Sequence, residues 1–133
     1  MSDSIFSKII RREIPAQFVY EDDQCVVIMD KFPGVIGQTL VIPKVEVDYA
    51  FDLDDDTYSH IFNIAKKIAR ASDQAFDTFR TCLVVEGFEV PHVHIKLYPI
   101  PKEHRDLTAA MKPAGPTTDE VLENQAAKIR KEL

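Results

Sequence analysis

The chain has 133 residues, of which 45% are hydrophobic and 29% charged, with a formal charge of −6. This length and balance give one folded domain with a real core and exclude a disordered chain. The acidic excess excludes broad electrostatic capture of nucleic acid, although one nucleotide can still be held by a few local donors, and no apolar run is long enough to span a membrane.

The opening stretch, MSDSIFSKIIRR, has no secretory apolar region of convincing length. Cys25 and Cys82 sit in apolar, strand-like segments and read as buried free thiols, which points to the cytoplasm. Ile5 to Arg12 predicts a short helix stopped by Pro15. Strands follow around Phe18–Val19–Tyr20 and through CVVIM, separated by the charged turn Glu21–Asp22–Asp23. The segment DKFPGVIG has the proline and glycines of a connection, and TLVIP returns as a third strand. Short spacing makes these strands antiparallel neighbours.

Asp54, Asp55 and Asp56 stand before TYSHIFNIAKKIARA, where acidic residues complement the free N–H groups of a helix start. Ile61, Ile64 or Ala65, and Ile68 form its buried stripe, and Lys66, Lys67 and Arg70 suit its C-terminal end. FRTCLVVEG and HVHIKLYPI supply two more strands. The expected architecture is therefore α+β, an antiparallel sheet of about five strands with a main helix across one face. Residues 111–133 change character. The loop MKPAGPTTDE leads to a capping box at Thr117 and Glu120 and a C-terminal helix. Its stripe of Val121 or Leu122, Gln125 or Ala126, Ile129 and Leu133 needs a partner in this domain or in a second subunit.

The segment VPHVHIKLYPI carries the chemistry. Alternation along a strand puts His92, His94 and Lys96 on one side and Val93, Ile95 and Leu97 on the other, with the apolar set facing the helix and the polar set on an accessible face. Three readings of the histidines stand side by side. They form a hydrogen-bonded pair without a reaction, a metal site, or a phosphate site in which a neutral imidazole accepts a phosphoryl group. No C-x-x-C or H-E-x-x-H supplies further metal ligands. Asp30 ends a strand before the glycine-bearing connection, where a carboxylate either accepts ribose hydroxyls or serves the turn.

Three ordered stretches, IFSKIIRREIPAQFVYEDD, DKFPGVIGQTLVIPK and EVPHVHIKLYPI, resemble the histidine triad (HIT) family of nucleotide hydrolases and transferases across roughly Ile5 to Pro99. The resemblance implies a HIT-like fold, a homodimer with sheets joined across its interface, and a purine nucleoside monophosphate or phosphoramidate-type ligand cleaved at the α-phosphate. It implies His94 as the nucleophile and His92 as its companion, with Lys96 standing where the family has a third histidine. It places Asp30 at the ribose, Phe6, Ile9, Ile28 and Phe32 around the base, and Glu89 near the phosphate. Gln38 takes the place of a family histidine beside the triad, and Phe88 that of a glutamine. Ser4 and Ser7 stand where zinc-containing relatives carry thiolates, so neither a metal nor another cofactor is expected. Lysine at position 96 leads to an expected shift toward anionic leaving groups. The altered positions Gln38, Phe88 and Lys96 keep open an alternative, a catalytically weak nucleotide-binding or regulatory protein.

Overall fold

The computed structural model describes residues 3–133, so residues 1 and 2 of the expected domain lie outside the described residues. Helix α1 (Ile5–Ile10) precedes strands β1 (Phe18–Glu21), β2 (Cys25–Met29) and β3 (Thr39–Pro43). A 3₁₀ turn (Ala50–Asp52) leads into helix α2 (Asp55–Phe76), followed by β4 (Arg80–Val84), β5 (Ile95–Ile100), α3 (Leu107–Ala110) and α4 (Asp119–Lys131). The five strands form one antiparallel sheet in the order β1-β2-β3-β5-β4. Among the described residues no helix is long and apolar enough to cross a membrane.

β2 and β3 are buried along their whole length because the sheet is covered on both faces, which is why CVVIM and TLVIP read as continuous apolar runs. On one face Val27, Val41, Ile95 and Leu97 pack against Ile61, Ile68, Leu122, Ala126 and Ile129 of α2 and α4. On the other, Phe6 and Ile9 of α1 pack on Val26, Ile28, Leu40 and Ile42. Ala110 of α3 lies against Tyr98 and Ile100 further along that face. The sequence led us to expect one open face; α1 and α3 close it. Four residues, LTAA, are too few to show helical periodicity, so α3 had no signal of its own.

Asp54 caps α2 by accepting a hydrogen bond from Thr57 N–H at 2.7 Å, and Asp55 and Asp56 fill its first turn. The helix continues past the expected end to Phe76, so Lys66, Lys67 and Arg70 lie mid-helix. It stops at Asp77, whose φ of 48° is left-handed. The C-terminal helix is capped by Thr118, one residue later than expected. Thr117 is engaged elsewhere, its N–H bonded to Lys31 C=O at 3.3 Å.

α4 settles onto its own domain and braces the connection between β2 and β3. Gly37 N–H donates to Gln125 Oε1 at 3.0 Å, and Lys31 pairs with Asp119 at 3.1 Å. Gly37 has φ +82°, and a Cβ there would lie 2.4 Å from the Phe76 ring, so only glycine fits this turn. The stripe buries Leu122, Ala126 and Ile129 but leaves Leu133 exposed. Ile129 is fully enclosed, so Ile129→Ala is expected to cost about 2–5 kcal/mol of stability, read as a lower urea midpoint.

Candidate active site

His92 and His94 precede β5, which begins at Ile95, yet the alternation holds. Val93, Ile95 and Leu97 join the α2-side core, while both histidine rings meet Phe6 of α1, at centroid distances of 5.9 and 4.8 Å. His92 is fully buried and His94 is 5% exposed, so the pair is enclosed rather than displayed on an open face.

Their hydrogen bonds fix their tautomers. His92 Nε2 donates to Pro43 C=O at 2.8 Å, which leaves Nδ1 to accept from Ser4 Oγ at 2.6 Å. Both ring nitrogens are therefore committed. His94 Nδ1 donates to the His92 carbonyl at 2.8 Å, so Nε2 carries the lone pair, and it has no hydrogen-bond partner among the described residues. Burial lowers the pKa of both rings. For His94 the neighbouring Lys96 charge adds to that effect, against the opposing bond to His92 C=O. His94 is thus a neutral imidazole with a fixed orientation and one free nitrogen, the form required of a nucleophile at neutral pH.

Ser4 and Ser7, read from sequence only as missing thiolates, hold this arrangement in place. Ser4 caps α1, and its backbone N–H donates to Glu46 Oε1 at 2.8 Å. Ser7 Oγ donates to the same carboxylate oxygen at 2.6 Å. These bonds lower the Glu46 pKa and tie α1 to both the β3 exit and His92. Ser4→Ala leaves His92 Nδ1 buried without a donor and removes the cap. The expected loss is about 1–3 kcal/mol, checked by chemical denaturation.

Lys96 lies opposite Leu40 of β3 and Val84 of β4, and its Nζ pairs with Glu86 Oε1 at 2.7 Å. Burial opposes its charge, but the bond to Glu86 and nearby negative charge more than offset that, so the Lys96 pKa is raised. Glu86 thus pairs with Lys96 and lines the same cleft as His94, while Glu89 lies exposed further along the loop between β4 and β5. Phe88, on the same loop, is 88% exposed and projects away from the core. A cleft of about 240 Å³ opens beside His94 and Glu86, with Tyr49, Phe51 and Tyr58 along its wall. This is below the roughly 300–1,000 Å³ of a drug-sized pocket, so the cleft is too small to enclose a whole nucleotide.

Asp30 serves the connection: Oδ1 accepts from Phe32 N–H at 2.9 Å and Oδ2 from Gln38 Nε2 at 2.7 Å. Each oxygen keeps a lone pair that a hydroxyl can use. Gln38 is 4% exposed and its Oε1 accepts from Gly34 N–H at 2.8 Å, which makes it a brace across the loop. Phe6, Ile9 and Ile28 are brought together in one buried cluster, whereas Phe32 stands apart, exposed on the connection.

Among the described residues Asp22, Cys25 and His60 bring potential ligand atoms within 4.8 Å of one another. Their chemistry does not suit a metal. Asp22 already accepts from Gln24 N–H, Cys25 N–H, Tyr20 Oη and His60 Nε2 at 2.6–2.9 Å. Burial pushes the Cys25 thiol up to about 12, so it stays protonated. Cys25 and Cys82 are both free, the first buried and the second partly so.

Residues 11–104 match the HIT domain family model. A purine nucleoside phosphoramidase of Escherichia coli is 34% identical over 101 residues, covering 71% of this chain and 85% of that protein. A HIT-like protein of Borreliella burgdorferi is 33% identical over 106 residues, covering 74% of this chain and 76% of its own length. The crystal structure of a HIT-like protein involved in cell-cycle regulation from Bartonella henselae superposes with a TM-score of 0.89 at 34% identity, over 98% of this chain and 96% of that one. The superposition carries the five-stranded antiparallel sheet with its helices, the α+β fold expected from the sequence.

Proposed function

This chain belongs to the HIT domain family, and from that membership we propose that it is a nucleotide-binding hydrolase acting at the α-phosphate of a purine nucleoside phosphoramidate or a related nucleotide. One observation carries the reading. His94 is a neutral imidazole whose Nδ1–H is tied to His92 C=O and whose Nε2 is free. In the first step Nε2 attacks the α-phosphorus. The P–N bond to the leaving amine breaks with its electron pair on nitrogen, the amine takes a proton from water, and a nucleotidyl-histidine remains. In the second step water attacks phosphorus, the bond to Nε2 breaks, and the nucleoside monophosphate leaves. His92 acts as a positioning residue through its carbonyl, and Lys96 meets negative charge on the phosphoryl oxygens. Asp30 takes the ribose with its spare lone pairs, while Phe6, Ile9, Ile28 and Phe32 line the approach to the base. Gln38 acts indirectly by holding Asp30, and Phe88 and Glu89 border the phosphate side. Neither step calls on a metal or another cofactor.

The test is release of AMP from adenosine phosphoramidate, followed by chromatography. A second reading, a nucleotide-binding protein with little or no turnover, is favoured by the pairing of Lys96 with Glu86, which withholds one positive charge from a ligand. It expects saturable AMP binding without product.

We further propose a cytoplasmic homodimer joined along β4. The opposite sheet edge, β1, is guarded by α4, whose Arg130 donates to Phe18 C=O at 2.8 Å. Among the described residues β4 pairs only with β5, and Leu83 and Val85 are exposed beside its free edge. Light scattering of the protein and of Leu83→Lys tests this: a dimer in the first and a monomer in the second are expected.

A further inference from the structure

We propose that Glu86 sets the leaving-group preference of this site: it neutralises Lys96 and places a carboxylate beside His94, so neutral or cationic amines are accepted as leaving groups and phosphate-bearing ones are disfavoured. The inference rests on the reading of His94 as the group that meets the α-phosphate. Lysine considered alone suggests the reverse preference, because a free ammonium welcomes an anion. Here that ammonium already sits 2.7 Å from Glu86 Oε1, with the two side chains 20% and 30% exposed. Partial burial strengthens both the pairing and any repulsion felt by a second anion.

The surrounding charge points the same way. His92 and His94 are neutral, and Asp30 adds negative charge that acts on both His94 and Lys96. The cleft beside His94 has Asp48 and Glu86 as its charged lining residues, both acidic. A leaving group with further phosphates must place its oxygens against Glu86 or displace it from Lys96. An amine meets no such cost, and its N–H donates to the carboxylate.

Binding of AMP and ADP compares the same nucleoside without and with one further phosphate, and calorimetry gives both constants whether or not turnover occurs. We expect Glu86→Gln to lower the ratio Kd(ADP)/Kd(AMP) by about tenfold, as Lys96 is released to meet the second phosphate. In Glu86→Gln combined with Lys96→Gln most of that gain disappears. A ratio within about twofold of the parent in a folded Glu86→Gln variant overturns the proposal. Binding of neither nucleotide by the parent overturns both this proposal and the nucleotide reading. Binding without hydrolysis of adenosine phosphoramidate overturns the hydrolase reading only, and the Kd ratio still decides the role of Glu86.

Discussion

His94→Ala is expected to lower turnover of adenosine phosphoramidate by on the order of 10⁴-fold or more while AMP binding stays measurable. The asymmetry follows from what the side chain supplies. In the proposed mechanism its Nε2 forms the new bond to phosphorus, and no second free imidazole lies within the histidine pair, since both His92 nitrogens are committed. Water attacking directly lacks the fixed orientation that the bond from His94 Nδ1–H to His92 C=O provides. On the same proposal binding draws on different groups, the ribose acceptors of Asp30 and the apolar residues of α1 and β2. Steady-state kinetics and calorimetry on the same preparation separate the two effects. Equal turnover in variant and parent contradicts the assignment.

His92→Ala is expected to strike stability first. The ring is fully enclosed and holds Ser4 on one side and Pro43 C=O on the other. Removing it opens a cavity and leaves two buried polar groups unpaired, an expected loss of about 3–5 kcal/mol. Turnover falls as well, but less than in His94→Ala, because the backbone carbonyl that accepts His94 Nδ1–H survives the substitution. The same burial sets the acid limb of stability. A histidine with a lowered folded pKa resists protonation in the native state, so below the unfolded value of about 6.5 the unfolded chain binds more protons. Stability is therefore level in this respect above pH 6.5 and falls as pH drops below it, by up to about 1.4 kcal/mol per pH unit for each histidine. Denaturation at pH 7.5 and 5.0 shows the difference, and His92→Phe, which keeps most of the volume, makes the slope shallower. An unchanged slope in that variant contradicts burial of a neutral His92.

Much of this was legible in the chain. Continuous apolar runs gave β2 and β3, three aspartates marked the start of α2, and alternation gave the side on which the histidines lie. What stayed hidden depends on contacts between distant residues. Glu86 reaches Lys96 because β4 and β5 pair with Val84 opposite Lys96, and loop lengths do not reveal that register. Glu89, nearer in sequence to the histidines, was the natural choice, whereas the pairing with Lys96 falls to Glu86. Ser4 and Ser7 read as absent thiolates until α1 folded back to bring Ser4 to His92 and Ser7 to Glu46, 88 and 39 residues away along the chain. Gln38 read as a substituted ligand-side residue, and nothing in the chain signalled that its buried amide also bridges Asp30 and Gly34. The residues expected around the base were divided by tertiary packing, with Phe6, Ile9 and Ile28 in the core and Phe32 outside it.

The central claim is that His94 Nε2 forms a covalent bond to the α-phosphorus. Mixing the protein with adenosine phosphoramidate, quenching within milliseconds under alkaline denaturing conditions that spare a phosphoramidate, and measuring the intact mass tests it most directly. The predicted result is an adenylyl adduct that maps to His94 by fragmentation and decays as AMP appears. Release of AMP with no adduct at any time in the turnover, or an adduct on another residue, would contradict it.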